Sequence, residues 1–230
     1  MNLVRQHAKA LLANGYNFIP IIAQRKAPGT FTGGAWHALP NWTQFTDRQP
    51  TPDECRLWAE SPGGGIGLTC GHIVGIDIDI LDEYESDMVE GLARQHLGAT
   101  PLIRFGLYPK RLLVYRCEAS LPTNKHKPIE ILGRGAQFVA YGIHEVTGRP
   151  YYWPEKAPHD VRLEDIPLIT AEKVEAFLTA TAQLFPDLFA QGSRSFSGDE
   201  WRLTSPLGVA APLEAVEAAL AHLPNDPHDW

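Results

Sequence analysis

The chain reads as an α+β protein, with a mostly antiparallel or mixed sheet covered by helices. Three observations predict this. A helical start precedes a short apolar strand. Between residues 101 and 144, four strand-like runs follow one another with Gly, Pro and Lys turns between them. The helical stretches separate strands unevenly, which does not suit a regular βαβαβ alternation. The apolar fraction of 44% and charged fraction of 20% are ordinary for a globular domain of 230 residues.

The elements follow in order. Leu3, Val4, Ala8, Leu11 and Leu12 recur at helical spacing, and Gly15 stops the helix. Residues 17–23, NFIPIIA, read as a buried strand, and the Gly/Pro-rich 25–42 as a loop. Thr51-Pro52-Asp53-Glu54 opens a second helix, with threonine as N-cap, proline in the first turn and early acids. SPGGG (61–65) breaks the chain. Residues 66–70 and 72–80 read as a strand pair turned at Gly71, and 82–97 as a helix. The runs 101–106, 111–117, 127–133 and 136–144 read as strands, and Thr170 begins a helix to about 184. Residues 186–211 read as a linker, and 212–224 as a short helix. GGGIG (63–67) fits neither a dinucleotide fingerprint nor a P-loop, so it reads as a tight turn.

Composition narrows the function. The net charge of −7 counts mildly against a nucleic-acid partner but leaves room for a local basic groove. Cys55, Cys70 and Cys117 are widely spaced and odd in number, which argues against a disulfide framework or cysteine zinc site and fits a reducing cytoplasm. No signal peptide and no apolar run of membrane-spanning length is evident, so a cytoplasmic protein without membrane contact is expected.

The chemistry concentrates in GHIVGIDIDILD (71–82). Ile76, Ile78 and Ile80 fall on one side of a period-2 alternation, and Asp77 and Asp79 on the other. Paired acids on one strand face repel unless a cation neutralises them, and hard divalent ions take oxygen ligands. Alone, such a pair is as readily a solvated edge. Glu130, inside PIEIL, is a third acid on an otherwise apolar strand. Three carboxylates on one sheet face suit two-metal phosphoryl or nucleotidyl transfer with Mg²⁺ or Mn²⁺. Arg104, Lys110 and Arg111 supply cations able to hold a triphosphate, although a solvated hairpin tip is the plainer reading. Gln137 lies on a strand, and His144 at a strand end, where a histidine is more often structural.

Taken together, GIDID, RFGLYPKRLLVYR and IEILGRGAQFVAYGIHEVTGRPYYW resemble the bifunctional DNA primase/polymerase (prim-pol) domain of the archaeo-eukaryotic primase superfamily, from about residue 5 to 185. The resemblance implies an RRM-like catalytic sheet joined to an N-terminal α/β unit. It also implies template-directed synthesis from dNTPs or NTPs on single-stranded DNA, from a primer or without one. It maps a metal-binding first motif onto Asp77 and Asp79, and a third acid onto Glu130. The family's second motif carries a histidine where this chain reads Pro109-Lys110-Arg111-Leu112, so the two cations are expected to meet the triphosphate instead. His144 matches a further family histidine, and Gln137 and Arg104 complete the expected nucleotide set. Lys26-Ala27-Pro28 resembles a K-x-P element and Trp42 a tryptophan after it. Lys26, Arg134 and Arg149 are expected to face DNA.

The resemblance divides the chain into a catalytic domain (1–185), a linker (186–211) and the opening of a helical primase C-terminal domain (212–230). It points to a longer plasmid, phage or prophage replication protein ending in a helicase. Two other classes remain: a non-catalytic single-stranded-DNA-binding initiator module, and a metal-dependent glycosyltransferase. Three acids that repel phosphate count against the first, and the lack of a nucleotide-binding α/β half against the second.

Overall fold

The computed structural model describes residues 2–125 and 127–190. In chain order the helices are α1 (Leu3–Ala13), α2 (Pro52–Trp58), α3 (Glu83–Leu97), α4 (Ala171–Leu184) and α5 (Pro186–Ala190). The strands are β1 (Phe18–Ile21), β2 (Gly29–Thr32), β3 (Ala35–Ala38), β4 (Gly65–Thr69), β5 (Ile73–Ile78), β6 (Ile103–Phe105), β7 (Arg111–Arg116), β8 (Ile129–Leu132) and β9 (Gln137–Tyr141). The expected α+β class holds, with every pairing between these strands antiparallel.

Local chemistry sets the helix boundaries. Asn2 caps α1 by accepting from the Arg5 amide at 3.0 Å, and Gly15, at φ 91°, turns the chain away afterwards. Thr51 and Glu54 form a reciprocal capping box at α2. Glu54 also pairs with Arg48 at 2.7 Å, and that partner pulls its carboxyl down to about 2. Asp82 and Thr170 cap α3 and α4.

Among the described residues the strands form two main sheets and the β2–β3 hairpin. A three-stranded sheet runs β1-β4-β9, and a four-stranded sheet runs β6-β7-β5-β8. One face of the larger sheet is apolar: Ile76, Ile78, Leu113, Tyr115, Ile129 and Ile131 pack with Val89, Ala93 and Leu97 of α3 and with Val174 and Phe177 of α4. The opposite face shares its core with the smaller sheet, where Leu112, Val114 and Leu132 meet Phe18, Leu68 and Phe138. Fully burying a side chain of this size contributes about 1.5–3 kcal/mol, so these two cores are the main stabilising contribution.

Three expectations are corrected. Residues 66–70 and 72–80 do not form a strand pair: β4 joins the smaller sheet and β5 the larger, so Gly71 links two sheets. A Cβ on Gly71 would sit 2.9 Å from the Thr46 carbonyl oxygen, and this close approach is the reason a glycine is needed there. The 25–42 loop contains the β2–β3 hairpin, turned at Gly33-Gly34, both at positive φ. The expected linker opens with α5. The remainder of the linker and the 212–224 helix lie outside the described residues.

Candidate active site

The register of the larger sheet places Arg104 opposite Leu112, Leu112 opposite Asp77, and Asp77 opposite Glu130. Directly opposed residues of an antiparallel sheet share a face, so these four form one row across all four strands. Opposed side chains have Cβ atoms about 4.5–5.5 Å apart, which brings the Asp77 and Glu130 carboxylates together. Neither has a hydrogen bond or ion pair among the described residues. Burial pushes the Asp77 carboxyl above its ordinary range. Glu130 and Asp79 push it the same way, and Arg104 and Lys26 pull it back.

Asp79 stands one residue beyond β5 and is held differently. Lys110 reaches its carboxylate at 2.5 Å, and Lys127 pairs with its other oxygen. Burial works to raise the Asp79 carboxyl, but the two ammonium groups outweigh it and hold it below the usual range. The expected convergence of three carboxylates is therefore not drawn. Among the described residues, no three His, Cys, Asp or Glu side chains are gathered tightly enough to hold a metal ion. The reason is electrostatic: three like charges do not collect unaided, and the lysines neutralise the third. Asp77 and Glu130, as paired oxygen donors without partners among the described residues, fit a hard divalent cation.

Cations surround the acids. Arg104 lies half-buried on β6, donates to the Val139 carbonyl of the smaller sheet, and stacks over Tyr151 at 4.5 Å. His144 is buried and meets the Tyr151 ring edge-on at 5.3 Å. Its Nδ1 accepts from the Thr147 amide at 3.2 Å, so in the neutral ring the proton sits on Nε2 and that nitrogen is the donor. Burial lowers the His144 pKa, as do Lys26, Arg104 and Lys110 against an opposing pull from Glu145, which favours the neutral ring. Gln137 donates to the Lys26 carbonyl at 2.7 Å, while its Oε1 is buried without a partner among the described residues. This ties the Lys26 loop to the start of β9.

The expected site residues separate cleanly. Strand alternation puts Lys110, Asp77, Asp79, Glu130 and Arg104 on one face. Arg111 pairs in register with Ile78 and lies on the helix-covered face, where its side chain binds Asp87 at 2.6 Å and also Glu90. Of the two cations standing where the family carries its histidine, only Lys110 faces the acids. Arg134 is exposed and bound to Asp47 at 2.6 Å, away from the row. Lys26 is exposed and pairs loosely with Glu145 at 3.9 Å. The Arg149 carbonyl accepts from the His144 amide at 2.8 Å, so Arg149 belongs to the turn that holds His144. Trp42 packs against the core of the smaller sheet. Lys127 and Tyr151 were not anticipated. Lys127 lies two residues before β8, the Glu130 strand, and that nearness is the one signal for it in the sequence.

The model of the bifunctional DNA primase/polymerase N-terminal domain, Prim-Pol, matches residues 8–168. That span contains the whole acidic row, the lysines at Asp79 and the His144 turn. None of the curated proteins compared with the chain matches it. With well over half its length covered, the chain belongs to the bifunctional DNA primase/polymerase family.

Proposed function

We propose that this domain synthesises DNA on a single-stranded template, joining dNTPs or NTPs to a 3′-hydroxyl, and that its reaction centre is the Arg104–Leu112–Asp77–Glu130 row. The observation that carries the proposal is the cross-strand pairing of two half-buried acids, Asp77 and Glu130, neither partnered among the described residues. A strand pair gains nothing in stability from opposed like charges, so the pair is retained for a cation or a reacting group.

The family generally works with divalent metals, and Asp77 and Glu130 would hold Mg²⁺ or Mn²⁺, joined by Asp79 once it leaves Lys110 and Lys127. Such ions would neutralise charge on the phosphates and favour the ionised 3′-hydroxyl. The chain's own side chains supply the remainder. Lys110 and Lys127, released from Asp79, are placed to meet triphosphate oxygens as point charges. In its neutral form His144 offers its Nε2–H as a hydrogen-bond donor. Arg104, fixed by the Val139 carbonyl and by Tyr151, keeps a permanent positive charge beside the row. Lys26, Arg149 and Gln137 border the same region, and a DNA strand is assigned to Lys26 and Arg149. Arg134 is the weakest of the expected DNA contacts, because Asp47 already neutralises it.

The wider setting follows the resemblance: a cytoplasmic plasmid, phage or prophage replication protein with a helicase partner, in which 1–185 is the catalytic unit. Among the described residues, no helix is long and apolar enough to cross a membrane.

The test is incorporation of labelled dNTPs and NTPs on primed and unprimed single-stranded templates with Mg²⁺ or Mn²⁺. Extension lost in Asp77→Asn and Glu130→Gln supports the proposal. DNA binding without incorporation under every metal and nucleotide would instead support the initiator module.

A further inference from the structure

Arg111 is among the most enclosed charges of the described residues, its side chain 5% exposed, and it faces away from the acids. Its guanidinium makes three kinds of contact. It binds Glu90 and Asp87 of α3, and Nε donates to the carbonyl of Pro109 at 3.0 Å. The same carbonyl accepts from Ser86 Oγ, also on α3 and fully buried, at 3.0 Å. Glu90 is further held by Arg94 at 2.8 Å, and the guanidinium lies over the Phe105 ring at 5.3 Å. Pro109 is thus clamped from the helix side by two donors. The next residue, Lys110, emerges on the opposite side of the sheet with its ammonium on Asp79 at 2.5 Å.

A solvated hairpin tip needs no such clamp. Burying a guanidinium between two acids costs desolvation energy, and an apolar residue would cover Phe105 and α3 without that cost. The geometry has a specific product: one carbonyl is fixed, and the residue following it is the cation that faces the acidic row.

We propose that Arg111, with Ser86, is a positioning residue for the nucleotide site, acting through the Pro109 carbonyl to hold Lys110 over Asp79. This rests on the proposed nucleotide-binding role of Lys110. Arg111 itself touches no nucleotide. The fork geometry is what matters: Arg111→Lys keeps a charge for Glu90 but cannot serve the acids and the carbonyl together.

The experiment compares Ser86→Ala, Arg111→Lys, Lys110→Ala and the two double variants carrying Lys110→Ala. Three measurements are made: the Kd of a fluorescent dATP analogue, KM and kcat in primer extension, and crystal structures of Ser86→Ala and Arg111→Lys without nucleotide. The expected result is a rise in Kd and KM of about fivefold, with kcat within about twofold of wild type. In the Lys110→Ala background the same changes should add less than about twofold, because the residue being positioned is gone. In the crystals the Lys110 ammonium should have left salt-bridge range of Asp79. The inference is overturned if Lys110 stays on Asp79 in both crystals, or if Kd is unchanged while only the melting temperature drops. It is also overturned if the effects multiply in the double variants. A wild-type protein that binds no dNTP would overturn the proposed function. The crystals read the placement of Lys110 separately, so the two failures are distinguishable.

Discussion

Replacing Asp77 with Asn should change the sign of its effect on stability when a divalent cation is added. Asp77 and Glu130 are opposed across β5 and β8, and neither has an ion-pair partner among the described residues. Two unit charges about 5 Å apart at an effective dielectric constant of about 20 repel by about 3 kcal/mol. Arg104 and Lys26 offset part of this, and both carboxylates keep some contact with water, which leaves a net cost of about 1 kcal/mol. Asparagine has the same shape, lacks the charge, and can donate to Glu130. In EDTA, Asp77→Asn should therefore melt about 2–4 °C above wild type. A metal at a hundredfold excess over its Kd stabilises the protein it binds by about 2.7 kcal/mol. With saturating Mn²⁺ the wild type should then overtake the variant. The pH dependence carries the same sign. A carboxyl whose folded pKa is raised favours the folded state below its unfolded pKa, and that benefit is lost as pH rises through the folded value. In EDTA the advantage of Asp77→Asn should accordingly grow from about pH 4 to 7. Differential scanning fluorimetry with and without Mn²⁺ reads all of this. If Asp77→Asn is less stable than wild type in EDTA, or if Mn²⁺ raises both equally, the acids are not a cation site.

Other outcomes follow from other parts of the structure. Lys110→Ala should raise KM for dNTP about tenfold or more, the loss of one charge-assisted contact, with the fold intact by circular dichroism. His7 is stacked on Tyr141 at 4.3 Å and faces His159 at 4.6 Å; burial and then His159 lower its pKa, against a smaller opposing pull from Asp160. A lowered histidine contributes stability that is present above its unfolded pKa of about 6.5 and lost as pH falls. The melting temperature should drop between about pH 7.5 and 5.5, and His7→Gln should flatten that drop, His144 accounting for a further part. Gly133→Ala should cost about 3 kcal/mol or more in urea unfolding, since its Cβ would lie 2.1 Å from the Leu121 carbonyl oxygen and 2.6 Å from that of Pro122. Unchanged stability there would mean that segment 121–122 does not pack on the end of β8.

The sequence carries the local part of this arrangement and hides the non-local part. The alternation in GIDIDI is visible because each Ile meets α3 or α4 and each Asp does not. The helix starts at Thr51 and Thr170 are visible because capping is a matter of three or four neighbouring residues. What opposes Asp77 depends on the register between β5 and β8, about fifty residues apart, and periodicity alone cannot fix it. The turn at Gly71 looks like a hairpin because a glycine between two apolar runs usually makes one, yet the chain passes from one sheet to the other there. The β2–β3 hairpin is masked by its own composition: mostly exposed, with two glycines at its turn, it lacks the apolar alternation of a core strand. Arg111 is the most instructive displacement. Read as a charge beside another charge, it belongs with Lys110, but successive strand residues point to opposite faces. The acids waiting for it, Asp87 and Glu90, sit three apart on α3 and in sequence look like a solvated helix face.

The Asp77–Glu130 pair is proposed as the place where nucleotide and metal meet. The most direct measurement is anomalous diffraction from crystals of the domain with Mn²⁺, a primed template and a non-hydrolysable dNTP. Manganese should be bonded to oxygens of both Asp77 and Glu130, with the triphosphate reaching toward Lys110 and His144. Manganese bound at neither acid, or a triphosphate held on the α3 side of the sheet beside Arg111, would contradict it.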